Sequence, residues 1–112
     1  MKKRLRPKAS AKRAQELFRY NKRTGVIGRK VDMHKGRFKA GEIVGSKDCR
    51  GYLTIWFDGR SYKAHHIAWA CVTGRWPKRT VDHRNGDGID NRWSNLREAT
   101  QSQQNANAKL HV

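Results

Sequence analysis

The segment TVDHRNGDGIDNRWSNLREAT, residues 80 to 100, carries side chains suited to hydrolysis. His83 is suited to be a general base, because an imidazole with an ordinary pKa near ~6.5 accepts a proton at neutral pH. Asp82 is its neighbour. On a strand it points to the opposite side of the backbone, where its carboxylate can hold a hard divalent ion. Phosphodiester hydrolysis needs a base to activate water and a cation to neutralise charge on the phosphate, so the pair is a candidate site for that reaction.

Amide side chains downstream of this pair are further candidates. Asn95 is predicted at the end of a second extended segment, where it could tie the two strands together and orient the imidazole of His83. Asn105 is the favoured second metal ligand, because its short side chain holds a carbonyl oxygen rigidly, and Gln104 is the alternative. One divalent ion is expected, with Mg²⁺ favoured over Mn²⁺ or another divalent cation. The two cysteines form no CxxC pair, so no structural zinc is expected.

The length and charge of the chain limit its class and its partners. With 112 residues it has room for one domain with a small core, and its formal net charge is +17. Such a charge calls for a polyanion, which favours DNA or another nucleic acid over an acidic membrane surface. There is no apolar run of about 20 residues and no signal-peptide core, so we expect a cytoplasmic protein with no membrane partner. Whether it is a monomer or a homodimer stays open.

Basic side chains in several places are candidates for phosphate contacts, with solvated surface positions as the alternative. Residues 1–13 are predicted to form a flexible basic arm, which includes the candidates Lys12 and Arg13. His66 is either a phosphate contact or a structural histidine. Arginines that surround the candidate site are also expected to contact DNA: Arg84, Arg92 and Arg97.

The apolar pattern of the first two thirds predicts an α+β fold. Ser10 is the predicted N-cap of a short helix that ends by Asn21. Four glycine-punctuated segments between residues 24 and 65 predict a small antiparallel sheet, with Asp58-Gly59 as the strongest hairpin signal. The bulky side chains of this sheet are expected to form the core, with an aromatic face for nucleic acid as the alternative.

The last third predicts a ββα unit. A helix over AHHIAWACVT ends at Gly74 and leads into an extended segment that ends at His83. The sequence RNGDG then forms a turn, a second short extended piece follows, and the chain after Leu96 is helix-permissive. We assign residues 14–78 to a DNA-binding and support region and residues 79–108 to the ββα unit, within one compact domain.

These stretches resemble the HNH endonucleases with a ββα-metal fold, especially the small phage and intron-associated homing-type group. The matching segments run from about residue 17 to 107 and are FRYNKRTGVIG, AGEIVGSKDCRGYLTIWFDG, SYKAHHIAWACVTGRWP and VDHRNGDGIDNRWSNLREATQSQQNAN. The resemblance implies a metal-dependent DNA endonuclease that nicks or cuts both strands and leaves 5′-phosphate and 3′-hydroxyl ends.

The resemblance also implies roles for individual residues. His83 falls on the general base, Asp82 on the adjacent metal ligand and Asn95 on the orienting amide. The sequence departs from the family pattern at the helix ligand: the position nine residues after Asn95 is Gln104, and asparagine follows only at Asn105. If neither side chain reaches the metal, the departure puts metal affinity and rate in doubt and makes loss of activity plausible.

Two other classes of function compete with the nuclease. One is a non-catalytic DNA-binding protein, either an inactive HNH relative or a reader of the AP2 type that lays a three-stranded sheet in the major groove. The other is a basic RNA-binding protein, for which charge alone suffices. Neither needs the adjacent Asp82 and His83.

Overall fold

The computed structural model describes residues 8–32, 35–36 and 38–99, which form an α+β fold. In chain order, the elements are α1 (Ala11–Leu17), β1 (Phe18–Tyr20), β2 (Ile27–Arg29), β3 (Ile43–Val44), β4 (Ser46–Lys47), β5 (Leu53–Phe57), β6 (Arg60–Lys63), α2 (Ala64–Thr73), β7 (Thr80–His83) and β8 (Leu96–Ala99). A short 3-10 helix, Trp93–Asn95, precedes β8.

Helix α1 begins where the sequence predicts and ends within the predicted limit. Ser10 is the N-cap, and its Oγ accepts a hydrogen bond of 3.1 Å from the backbone N–H three residues later. The helix ends at Leu17, before the predicted limit of Asn21, because the residues that follow pair with β2 as strand β1. The first three helical residues belong to the segment 1–13, so the assignment of that whole segment to an arm is wrong for them.

The strands form three antiparallel sheets: two where one small sheet was expected, and the separate pair of strands in the region of the predicted ββα unit. The strand orders are β1-β2-β3, β4-β5-β6 and β7-β8. Gly45 separates β3 from β4 with a φ of 123°, a conformation that favours glycine, and the chain passes there from the first sheet to the second. The bend explains why two sheets form where continuous pairing was predicted.

The hairpin of β5 and β6 divides its bulky side chains between core and surface. Asp58-Gly59 has positive φ at both residues, 49° and 78°, as a tight hairpin turn requires. Ile55, Phe57 and Tyr62 point into the core and are at most 6% exposed. Trp56 lies on the opposite face and is 65% exposed, so the core prediction holds for three of these residues and is wrong for Trp56.

Helix α2 covers the inner face of this hairpin and packs against α1. Its buried side includes Ile67 and Ala68, which have no exposed surface. Gly74 ends the helix in the left-handed conformation with a φ of 77°, as predicted, and its N–H donates to the carbonyl of Ala70 at 2.9 Å. Neither helix of the described residues has the length and apolar character needed to cross a membrane.

Strands β7 and β8 are the two strands of the predicted ββα unit. Their register pairs His83 with Leu96 and Asp82 with Arg97. The second strand begins after Asn95, not before it, because Asn95 ends the 3-10 helix. Strand β8 also occupies residues where the sequence is helix-permissive, since backbone pairing with β7 outweighs the weak helix preference there. The helix predicted to follow lies outside the described residues.

Candidate active site

The end of β7 places the two predicted reactive side chains on opposite faces of the strand. The His83 residue is 6% exposed and faces the core, whereas the Asp82 side chain is 34% exposed. Residues 84–95, which we call the site turn, connect His83 to β8. The alternation of a strand therefore puts the two side chains on opposite sides of the backbone, as the sequence predicts, and in this fold the imidazole is buried and the carboxylate is accessible.

The imidazole of His83 is enclosed by two rings and one amide. The centroid of its ring is 4.7 Å from that of His65 and 5.8 Å from that of Tyr52. Its Nε2 lies 2.8 Å from Oδ1 of Asn91. A carbonyl oxygen has no proton to donate, so Nε2 carries the hydrogen and Nδ1 keeps the free lone pair.

Asn91 is itself fixed by the amino-terminal sheet. It is 2% exposed, and its backbone carbonyl accepts a hydrogen bond from the hydroxyl of Tyr20. The backbone N–H of Trp93 donates to the carbonyl of Lys22 at 2.9 Å. Gly25 lies so close that a Cβ there would stand 2.6 Å from the Asn91 backbone. The loop between β1 and β2 therefore holds the site turn against His83.

The site turn also packs against the loop that precedes β5. A Cβ at Gly88 would lie 2.7 Å from both the carbonyl oxygen of Gly51 and the ring of Tyr52, so the position accepts only glycine without a shift. This contact keeps the Tyr52 ring beside His83. From the sequence, Tyr52 is expected only among the bulky side chains of the sheet, either in the core or on an aromatic face for nucleic acid.

Asn95 stabilises the site turn and does not contact the imidazole. Its Oδ1 accepts from the backbone N–H of Asn85 at 3.0 Å, and its Nδ2 donates to Oδ1 of Asn85 at 2.9 Å and to the carbonyl of Asp90 at 2.8 Å. The contact with His83 that the sequence predicts for Asn95 is made by Asn91. A catalytic role of Asn95 stays a prediction. Its effect on His83 would be indirect, through the shape of the site turn.

Asn91 is the site residue that sequence reasoning missed. It follows the same Gly-rich turn as Asn95, but only the register of β7 and β8 reveals which of the two amides reaches the ring. Its Nδ2 is buried and has no hydrogen-bond partner in the described part of the chain.

Asp82 is the described residue that fits a divalent cation. Its carboxylate is accessible and supplies the oxygen atoms that Mg²⁺ and similar ions prefer. An ion pair of 3.3 Å joins it to Nη2 of Arg97. Among residues 8–32, 35–36 and 38–99, no group of three or more His, Cys, Asp or Glu side chains is arranged to hold a metal. The predicted helix ligands Asn105 and Gln104 lie outside the described residues.

Comparison with known proteins matches this region to a family. Residues 62–106 match the model of the HNH endonuclease family, and they include the end of β6 and the whole of α2, β7 and β8. This part of the chain belongs to the HNH endonuclease family. It contains His83, Asp82 and the whole site turn, so we call residues 62–106 the HNH region. No curated protein matches the chain.

A solved structure shares the fold. The HNH homing endonuclease I-HmuI, described in work on its DNA binding and cleavage, superposes with a TM-score of 0.60 and 21% sequence identity. The superposition covers 85% of this chain and 53% of that one, so the chain spans about half the length of I-HmuI. At this identity the similarity shows the fold alone.

Two further histidines of the HNH region are held neutral. Burial, together with the nearby charges of His66 and His83, lowers the pKa of His65 to about 3. Burial and the positive charge of Lys8 lower the pKa of His66 to about 4. The Nδ1 of His65 is buried without a partner among the described residues, and its ring packs on His83, which favours a structural role.

The arginines predicted to contact DNA differ in their present partners. Arg84 is exposed beside His83. The guanidinium of Arg92 pairs with Asp90 at 2.7 Å, and that of Arg97 pairs with Asp82. All three arginines thus lie in the HNH region, and two of them already form ion pairs with aspartates. Their contact with DNA stays a prediction.

The two candidates from the predicted arm lie on α1, outside the HNH region. Lys12 is exposed to solvent. Arg13 forms an ion pair of 2.9 Å with Asp58 in the β5–β6 turn, so its charge is already compensated. Neither is among the residues that contact His83.

Proposed function

We propose that this chain is a metal-dependent DNA endonuclease of the HNH type that hydrolyses phosphodiester bonds. The observation that supports it best is a buried His83 whose Nε2 is held by Asn91, next to an accessible Asp82, within a region of the HNH family. The net charge of +17 supplies the affinity for DNA. His83 acts as the general base, and Asn91 orients it.

The chemical step starts at Nδ1 of His83. Nε2 already carries a hydrogen and donates a hydrogen bond to Asn91. Nδ1 therefore takes the proton from the attacking water. The water oxygen forms a bond to phosphorus while the bond from phosphorus to the 3′ oxygen breaks, and that oxygen takes a proton from solvent. The products are a 5′-phosphate and a 3′-hydroxyl.

Asp82 is the residue of the described chain that would hold the divalent cation. When bound, such a cation neutralises charge that grows on the phosphate and on the leaving oxygen. We propose Mg²⁺, since the donors are hard oxygens, with Asn105 or Gln104 as the second protein ligand. Arg97 pairs with Asp82 at 3.3 Å. A cation on that carboxylate would release its guanidinium to contact a phosphate oxygen.

Conversion of supercoiled plasmid to nicked and linear forms tests this function. Wild-type protein and His83→Ala are compared in Mg²⁺, in Mn²⁺ and in EDTA, with DNA affinity measured in parallel. We expect cutting that needs a divalent ion and that His83→Ala abolishes, while the affinity stays nearly constant. Accumulation of nicked circles before linear DNA indicates a single active site. No cutting in any metal contradicts the proposal.

One feature of the fold favours a second candidate, a DNA-binding protein without catalysis. Trp56 projects from the outer face of the β4-β5-β6 sheet and is 65% exposed, as in a sheet that reads DNA. Such a protein binds DNA equally well with and without a chelator and never cuts it. The plasmid assay therefore separates the two candidates.

A further inference from the structure

A cleft beside the start of β7 is lined by cationic side chains that form no ion pair within the described part of the chain. It has a volume of about 550 Å³. Its lining consists of Lys8, His66, Pro77, Lys78, Arg79, Thr80 and Ala99, and we call it the basic cleft. Among the described residues, no carboxylate lies in its lining, and no ion pair involves the side chains of its two lysines or its arginine.

Hydrogen bonds of backbone groups fix the chain on both sides of the basic cleft. On one side, the N–H of Ala9 donates to the hydroxyl of Tyr62 at 2.8 Å and its carbonyl accepts from Nε1 of Trp76 at 2.7 Å. The ammonium of Lys8 lies 4.7 Å from the centre of the Trp76 ring. These contacts fix the position of Lys8 at the rim.

On the other side, the backbone of the segment before β7 is tied to β8. The N–H groups of Lys78 and Arg79 both donate to Oε2 of Glu98, at 2.8 and 3.1 Å. The carboxylate of Glu98 thus accepts hydrogen bonds from the backbone and forms no ion pair with these two side chains. The two cationic side chains are exposed and free to take an anionic ligand.

The basic cleft is close to the proposed active site. Thr80 lines the cleft and lies two residues before Asp82 on the same face of β7, a distance of about 6.6 Å at ordinary strand rise. Successive phosphates of one DNA strand rise by ~3.4 Å along the helix axis, so a separation of this size corresponds to one or two nucleotides. On the inner side, His66 lines the cleft and touches His65, which packs on His83.

We propose that the basic cleft binds a phosphodiester group of the DNA backbone, one or two nucleotides from the bond that is cut. The position relative to the cut rests on the proposed nuclease function, whereas the binding does not. Lys78 and Arg79 contact the phosphate oxygens, Lys8 closes the site from the opposite rim, and His66 forms the uncharged floor. The arginines nearer to His83 that are already ion-paired contribute less to the initial affinity.

The charge around His66 is consistent with an anion site. Burial is the main cause of its lowered pKa of about 4, and the positive charges of Lys8 and Lys63 add to it. His66 is therefore neutral at neutral pH, and the positive potential at the floor of the cleft comes from its neighbours.

Salt-dependent DNA binding tests the cleft without any cutting. The affinity for a short duplex is measured in EDTA between 0.05 and 0.2 M salt, chosen as roughly the range over which phosphate contacts change affinity most. The double variant Lys78→Ala/Arg79→Ala is compared with Arg19→Ala/Arg23→Ala, a matched loss of two exposed charges on β1 and the loop after it.

We expect the cleft variant to bind about 5- to 10-fold more weakly and to lower the slope of log affinity against log salt by about 1, the value for one lost phosphate contact. The control should change affinity by less than about 2-fold. Equal losses in both variants would overturn the proposal, since affinity would then follow total charge alone. Thermal melting checks that both variants remain folded.

Ethylation interference then locates the phosphate on DNA that carries a mapped nick. Wild-type binding should be blocked by an ethylated phosphate one or two nucleotides from the nick, and the cleft variant should lose that interference selectively. Interference that persists in the variant contradicts the assignment. A protein that never nicks but still shows the salt effect keeps the cleft as a phosphate site and removes the nuclease.

Discussion

The site turn and the basic cleft lie at opposite ends of β7 and are built by different interactions. The site turn is fixed mainly by hydrogen bonds of amide groups, such as His83 to Asn91 at 2.8 Å and Asn95 to the carbonyl of Asp90 at 2.8 Å, beside the ion pair of Arg92 with Asp90. The cleft presents exposed cations whose partner is absent from the described chain. In a protein of charge +17, neutral hydrogen bonds keep a geometry that salt does not screen, whereas exposed charges set an affinity that salt does.

The difference indicates that geometry and affinity are separable in this molecule. Substitutions in the site turn should change the rate of cutting at saturating DNA, and substitutions in the cleft should change the DNA concentration needed. Variants that alter both together would show that the two regions act as one surface.

The largest effect is expected for His83→Ala. Loss of the general base should slow plasmid cutting by about 10²- to 10⁴-fold, because no other described group holds its position beside Asp82. The salt slope of DNA binding should be unchanged, since His83 is only 6% exposed and its Nε2 is held by Asn91. A matching fall in affinity would contradict the separation of the two regions.

The next largest effect is expected for Asn91→Ala. Without an acceptor for Nε2–H, the ring of His83 loses its orientation, and the turnover number should fall about 10- to 100-fold, as for other residues that orient a reactive ligand. Nitrogen-15 NMR of the metal-free protein should show the Nε2–H form of His83 in the wild type and a mixture in the variant.

Asn91→Asp provides the matched control for that experiment. It retains an oxygen that accepts from Nε2–H, so it should restore the single tautomer. An Nδ1–H form of His83 in the wild-type protein would contradict the assignment of Nδ1 as the base, whether or not the protein cuts DNA.

A third effect concerns stability below neutral pH. His65 has a folded-state pKa of about 3, below the unfolded value of about 6.5, so the unfolded chain binds one more proton between these values. The free energy of unfolding is therefore not reduced by this group above pH ~6.5. Below that value it falls with falling pH, by up to about 1.4 kcal/mol per pH unit. The direction is the same for His66.

Urea unfolding between pH 7 and pH 5 measures this loss. The lowered pKa values of Asp48 and Asp90 also stabilise the fold, and protonation removes that stabilisation only near and below the ordinary carboxyl range of about 4. Histidine therefore dominates the interval from pH 7 to pH 5. His65→Gln should flatten the dependence of the unfolding free energy on pH. An unchanged slope in that variant would assign the effect to other groups.

The sequence predicted the parts of this molecule that depend on local chemistry. Ser10 as a helix cap, Asp58-Gly59 as a hairpin turn and Gly74 as a helix end all follow from backbone preferences of single residues. The placement of His83 and Asp82 on opposite faces follows from strand alternation. These inferences need no knowledge of distant contacts.

The parts that the sequence could not predict depend on contacts between distant segments. The sequence predicts Phe18 as helical, and only its pairing with β2 shows that it belongs to a strand. The sequence likewise predicts Asn95 as the orienting amide, whereas the geometry of the turn places Asn91 beside His83. The hydroxyl of Tyr20 reaches Asn91 across 71 positions of sequence. No periodicity encodes such a contact, because it depends on how the sheets pack.

The smallest effect, and the one that most sharpens the comparison, is expected for Tyr20→Phe. The change removes only the hydrogen bond from the Tyr20 hydroxyl to the carbonyl of Asn91, which should cost about 1 kcal/mol of stability. Burial raises the pKa of Tyr20, so the hydroxyl is protonated and able to donate. Turnover should fall a few-fold through Asn91 while affinity stays constant.

The two single variants also combine into a test of how the effect travels. If Tyr20 acts through Asn91, then adding Tyr20→Phe to Asn91→Ala should cause no further loss of turnover, although the stability loss should still add. Independent, multiplying losses of turnover would mean that the amino-terminal sheet influences His83 by another route. In the first case, the sheet that was assigned only to binding and support also positions the general base, and cutting depends on parts of the chain far outside residues 79–108.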